Sequence, residues 1–156
     1  MHIRLIAVSD RQPDWVGDAF DEYAKRLPGQ WRFRLDTVAT AHRAGNSGAG
    51  KAVEAEGLKV LRQLKASEQV VLLDETGTEF TSAGLAAQLT HWQTAGRDLA
   101  FVIGGADGVS ADCVQRADVR WSLSRLTLPH GLARVLLVEQ LYRAWTLLQG
   151  HPYHRG

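Results

Sequence analysis

Residues 70–73 (VVLL), closed by Asp74, and residues 99–103 (LAFVI), closed by Gly104 and Gly105, decide the fold class. Both runs are apolar without alternation and too short for helices, so they read as strands buried on both faces. Between them, residues 81–95 place Leu85, Leu89 and Trp92 at helical spacing. Buried strands alternating with helices predict an α/β fold with a mainly parallel sheet covered on both sides. The pattern extends outward in both directions. Residues 3–8 (IRLIAV) form a first strand, and Asp14 caps a helix carrying Val16, Ala19, Phe20, Tyr23, Ala24 and Leu27 as far as Pro28 and Gly29. Residues 33–38 give a second strand. A glycine-bearing loop then leads to a helix whose apolar positions are Val53, Leu58, Leu61 and Leu64. Ser110 caps a short helix, residues 121–128 read as strand and loop, and residues 132–149 form a final helix ended by Gly150 and Pro152. Its apolar positions exceed the stripe that one sheet face would cover, which points to a second subunit.

Composition narrows the class. The 156 residues contain 45% hydrophobic and 22% charged residues, so a disordered chain is excluded. Length and the lack of a linker or repeat predict one domain over residues 1–156. A net charge of +1 is too small for a partner held by overall charge. The charge is uneven, however: Arg125, Arg134, Arg143 and Arg155 against Glu139 give residues 125–156 a charge of +3, leaving −2 on the rest. Arg143 pairs with Glu139 at i,i+4 in the plainest reading, and Arg134 lies on a solvated face. One cysteine, Cys113, makes neither an internal disulfide nor a cysteine-based zinc site, and a reducing, cytoplasmic setting without a membrane span is expected.

The candidate chemistry lies late in the chain. Residues 103–108 (IGGADG) follow a buried strand at the end where open α/β sheets hold ligands, but lack the GxGxxG pattern and a Walker lysine. Close backbone packing alone explains such a turn. Residues 121–130 offer backbone polar groups between leucine side chains, suited to a flat heterocycle, or an ordinary strand and turn. His151 and His154 are three apart with no adjoining acid or cysteine, so no metal is expected. Tyr153 stacking and Arg155 phosphate contact fit RNA better. Asp74 reads as a turn residue, and Ser122 and Ser124 lack a nucleophile elbow.

The stretches FVIGGADG (101–108), WSLSRLTLPH (121–130), LARVLLVEQLYRAW (132–145) and HPYHR (151–155) resemble the ribosomal RNA large subunit methyltransferase H family of the SPOUT superfamily. The likeness spans the chain, including IAV (6–8), PDW (13–15), EYAKRLP (22–28) and LLD (72–74). It implies a bacterial-type homodimer with a C-terminal trefoil knot. It also implies transfer of a methyl group from S-adenosylmethionine to N3 of a pseudouridine in 23S rRNA on assembled ribosomes. Carried over by position, the donor pocket uses Leu73, Gly104, Leu123, Ser124, Arg125, Leu126, Thr127 and Leu128. His130, Arg143, His151, Tyr153, His154 and Arg155 are candidates for RNA contact or for removing the N3 proton. Ser9 and Asp10 stand where relatives tend to carry glycine and lysine, which removes a cation from the first turn. A noncatalytic ribosome-binding or assembly factor of this fold and a nucleotide hydrolase are the rival readings.

Overall fold

The computed structural model describes residues 1–43, 45 and 48–155, with His154 described by its backbone alone. Strand β1 (Ile3–Val8) is buried along its whole length; its apolar run is interrupted by Arg4, whose buried guanidinium pairs with Glu68 at 2.6 Å and Asp36 at 3.1 Å. With β2 (Arg34–Val38), β3 (Gln69–Glu79), β4 (Leu99–Ile103) and β5 (Val119–Ser122) it forms a five-stranded sheet in the order β2-β1-β4-β3-β5. Every pairing is parallel, with Phe101 of β4 level with Leu5 on one side and Val71 on the other.

Side-chain alternation divides the core between the two faces. Ile3, Leu5, Ala7 and Phe101 point to the side covered by α1 (Asp14–Ala24), α3 (Ser82–Ala95) and α5 (His130–Gln149), where they meet Phe20, Leu89, Trp92, Leu137 and Leu141. Ile6, Val8, Val70 and Leu72 face the other side, where α2 (Gly48–Gln63) supplies Val60 and α4 (Ala111–Arg116) supplies Cys113. Thr81 caps α3 by accepting from the Gly84 amide at 2.9 Å, and Ser110 caps α4. Gly150, with φ 68°, closes α5 in the left-handed conformation. Among the described residues no helix is long and apolar enough to cross a membrane.

Four local expectations are corrected. Asp14 is the first residue of α1 and Pro13 the cap position. Helix α2 buries Ala52, Glu56, Gly57 and Val60, whereas Leu58 is 51% exposed; a buried carboxylate hides this face from an apolar count. Strand β3 does not stop at Leu73 but continues to Glu79 through an irregularity between Leu73 and Thr78. At Gly77 within it, a Cβ would stand 2.6 Å from the Arg120 backbone, so glycine lets the two strands stay paired. Arg134, expected on a solvated face, is 6% exposed.

Candidate functional site

The carboxyl ends of β1 and β4 and the middle of β3 open into a cavity of about 1060 Å³. Its lining comes from segments far apart in sequence: Ser9, Asp10 and Gln12 after β1, Leu73 to Glu75 in β3, the 103–109 turn, and the 123–130 loop leading into α5. Leu73, Ile103, Leu123, Leu126 and Leu128 are its apolar walls. Within the 123–128 loop the Leu126 amide donates to Ser124 Oγ at 3.0 Å, and the Ser124 carbonyl accepts from Ser122 Oγ at 2.9 Å. Among the described residues no backbone-to-backbone hydrogen bond involves 123–128. The loop therefore keeps most of its amides and carbonyls free for a ligand. Two side chains hold it to the second half of β3: Thr127 Oγ1 donates to Glu75 at 3.1 Å, and Arg125 pairs with Glu79 at 2.7 Å.

Gly104 lines the cavity, but its missing side chain serves the turn itself. A Cβ there would stand 2.4 Å from Val109 Cγ1 and 3.0 Å from the Gly108 carbonyl oxygen. Its own carbonyl faces His130 Nδ1 at 3.3 Å. The turn is braced from outside by Arg43, which pairs with Asp107 at 2.6 Å and with buried Glu56 at 3.0 Å.

Four carboxylates reach the cavity. Asp107 is paired with Arg43, and Asp74 with Arg120 at 2.8 Å. Burial opposes ionisation of Asp74, yet the amide and hydroxyl of Thr76 and the Arg120 charge outweigh it and hold its pKa low. Asp74 is thus an ionised residue within β3, not the turn residue expected from sequence, and not a base poised to take a proton. Asp10 and Glu75 have no ion pair among the described residues, and no lysine or arginine lines the cavity. The wall therefore favours a cationic ligand over an anionic one.

Among the described residues, His130, at the first turn of α5, is the only one of the proposed proton-handling residues at this cavity. Arg143 and Tyr153 stand at the other end of α5, about 20 Å away by the 1.5 Å rise per residue. There the Glu139 carboxylate accepts from Arg143 at 2.8 Å and from the Tyr153 hydroxyl at 3.0 Å, and the Arg143 guanidinium lies 5.0 Å from the Tyr153 ring centre. Burial first, then Glu139, pushes the Tyr153 hydroxyl far above its usual pKa. His151 Nδ1 accepts from the Tyr153 amide at 3.1 Å. Arg155 is exposed without an ion pair among the described residues. The His154 side chain lies outside the description. Within one chain, then, the tail and the cavity are not brought together. The expected basic C-terminal surface is also largely neutralised, since Arg125 and Arg143 are paired and Arg134 is buried.

The profile of the family described as "Predicted SPOUT methyltransferase" matches residues 1–154. The chain belongs to the SPOUT methyltransferases. Relatives named ribosomal RNA large subunit methyltransferase H agree along the full length. The protein of Chromohalobacter salexigens is 46% identical over 99% of this chain and 100% of its own, and that of Alkalilimnicola ehrlichii is 49% identical over 100% of both. Solved structures share the fold of this chain at low identity. A probable methylase family protein from Haemophilus influenzae superposes with a TM-score of 0.55 at 10% identity, covering 95% of this chain and 66% of that one. A putative methylase family protein from Neisseria gonorrhoeae gives 0.52 at 16% identity, covering 90% and 81%. Sequence reading did not place Ser9, Asp10, Gln12 or Glu75 at this cavity, nor Arg134 behind Ser9 and His130. Arg134 carried one signal, its i,i+4 spacing from His130.

Proposed function

We propose that this SPOUT methyltransferase binds S-adenosylmethionine in the cavity and methylates N3 of a pseudouridine in 23S rRNA of the assembled ribosome. The observation that carries the reading is the 123–128 loop, whose leucine side chains and unpaired backbone groups line a cavity that bears carboxylates and no cation. That donor set fits an adenine ring beside a positively charged sulfonium. Leu73, Leu123, Leu126 and Leu128 would hold the ring, the free amides and carbonyls of 123–128 would read its edge, and Asp10 and Glu75 would favour the cation. S-adenosylmethionine supplies a methyl carbon already activated by its sulfonium, and transfer to N3 leaves a neutral thioether. The protein's part is then chiefly positioning.

The proton lost from N3 goes to a group other than His130, whose ring nitrogens both have partners. The tail residues Arg143, His151, Tyr153, His154 and Arg155 are assigned to the RNA and to that proton, and they reach the cavity from a second copy of the chain. Leu132 and Leu136, one turn apart on α5, are 41% and 40% exposed, and Trp15 on α1 is 55% exposed, which supports an α5-mediated homodimer. The C-terminal knot belongs to the same reading: after β5, beyond β3, the chain returns to pack α5 on α1 and α3.

Mass mapping of 23S rRNA from cells with and without the gene tests the activity. Loss of one methyl group at a pseudouridine is expected. An unchanged map would overturn the substrate assignment, and calorimetry with S-adenosylmethionine tests the cavity directly.

A further inference from the structure

His130 and Arg134 lie one turn apart on α5, so their side chains share a face. Arg134 is 6% exposed, an uncommon place for a guanidinium, and no carboxylate pairs with it among the described residues. Its Nη2 donates to Ser9 Oγ at 2.7 Å and lies 2.8 Å from His130 Nε2, while its Nε has no partner. A guanidinium carries donors only, so His130 Nε2 is the unprotonated acceptor. The ring proton then sits on Nδ1, which donates to the Gly104 carbonyl. Three segments are linked in one line: the end of β1 at Ser9, the first turn of α5, and the glycine turn after β4.

We propose that Arg134 is a positioning residue of the donor cavity: it fixes His130 as a neutral Nδ1–H ring that holds the Gly104 carbonyl in place. This rests on the reading of the cavity as the S-adenosylmethionine site. Burying an unpaired cation costs stability, which a residue serving packing alone would avoid. Here it keeps a second positive charge off the ring beside a cavity built for a cationic ligand. Burial first, and then the Arg134 charge, lowers the His130 pKa, in keeping with a neutral ring.

Nitrogen-15 NMR of the histidine rings in the full-length protein tests the assignment without any ligand. The parent protein should show His130 as the Nδ1–H tautomer. Arg134→Met should give mixed tautomers, with a His130 pKa nearer that of a free imidazole, and weaken S-adenosylmethionine binding in calorimetry by about tenfold. Ser9→Ala removes the other Arg134 acceptor with less risk to folding, and should shift both readouts the same way by a smaller amount. An Nε2–H tautomer in the parent, or unaltered affinity in both folded variants, overturns the proposal. Absence of binding by the parent itself overturns the donor-site reading instead, so the two failures are distinguishable.

Discussion

The two ends of α5 carry the same device with opposite chemistry. At the amino end His130 and Arg134 form an i,i+4 pair in which a buried cation meets a neutral ring. At the carboxyl end Glu139 and Arg143 form an i,i+4 ion pair, only partly exposed and backed by Tyr153. The second arrangement is what helix electrostatics favour on a surface. The first departs from it, and it is the one that touches the cavity. A pairing that is poor for stability and well placed for binding marks the functional end of the helix.

Substitutions at the cavity end should outweigh those at the tail. The largest effect is expected from Gly104→Ala, whose Cβ would press on Val109 and on the Gly108 carbonyl. Donor affinity in calorimetry should fall about a hundredfold, with a stability loss of about 1–3 kcal/mol in urea denaturation. The double variant Gly104→Ala with Val109→Ala should recover part of the stability. Arg155→Ala sharpens the contrast from the other end: methyl transfer to ribosomes should fall about tenfold while donor affinity is kept. If both fell together, tail and cavity would not be separable.

Acid should act on the cavity end first. The His130 pKa is lowered in the fold, so the unfolded chain takes up this proton more readily. Its contribution to stability is full above about pH 6.5 and declines as pH falls below that value toward the lowered one. Denaturation curves between pH 7.5 and 5 should show the decline, and His130→Asn should flatten it. The smallest effect is expected for Arg143→Met, about 0.5 kcal/mol or less by thermal denaturation, because its ion pair is partly exposed.

Strand β4 and helix α3 were readable because their burial is written in unbroken or periodic apolar residues, and β1 because its β-type run is interrupted only by Arg4. The buried face of α2 was not, because Glu56 and Gly57 occupy it and Leu58 points outward. Strand β3 was cut short by the turn-like residues Asp74, Thr76 and Gly77, which the paired structure absorbs as an irregularity. For the site, residues 101–108 and 121–130 were visible as ordered motifs; of these, 103–108, 123, 124 and 126–130 line one cavity, whereas Arg125 lies outside its lining. What stayed hidden depends on contacts between remote segments. Ser9 meets Arg134 across 125 positions, and Thr127 meets Glu75 across 52. Only periodicity and turn chemistry are local, so a buried arginine whose acceptor lies at the opposite end of the chain reads as a surface charge.

The Ser9 to Arg134 contact also sets an order of assembly during synthesis. The first strand leaves the ribosome early, yet the wall it shares with α5 forms only after the last fifth of the polypeptide has emerged and folded back. Nascent fragments lacking that fifth present an open sheet end, so the cavity exists only on nearly finished molecules.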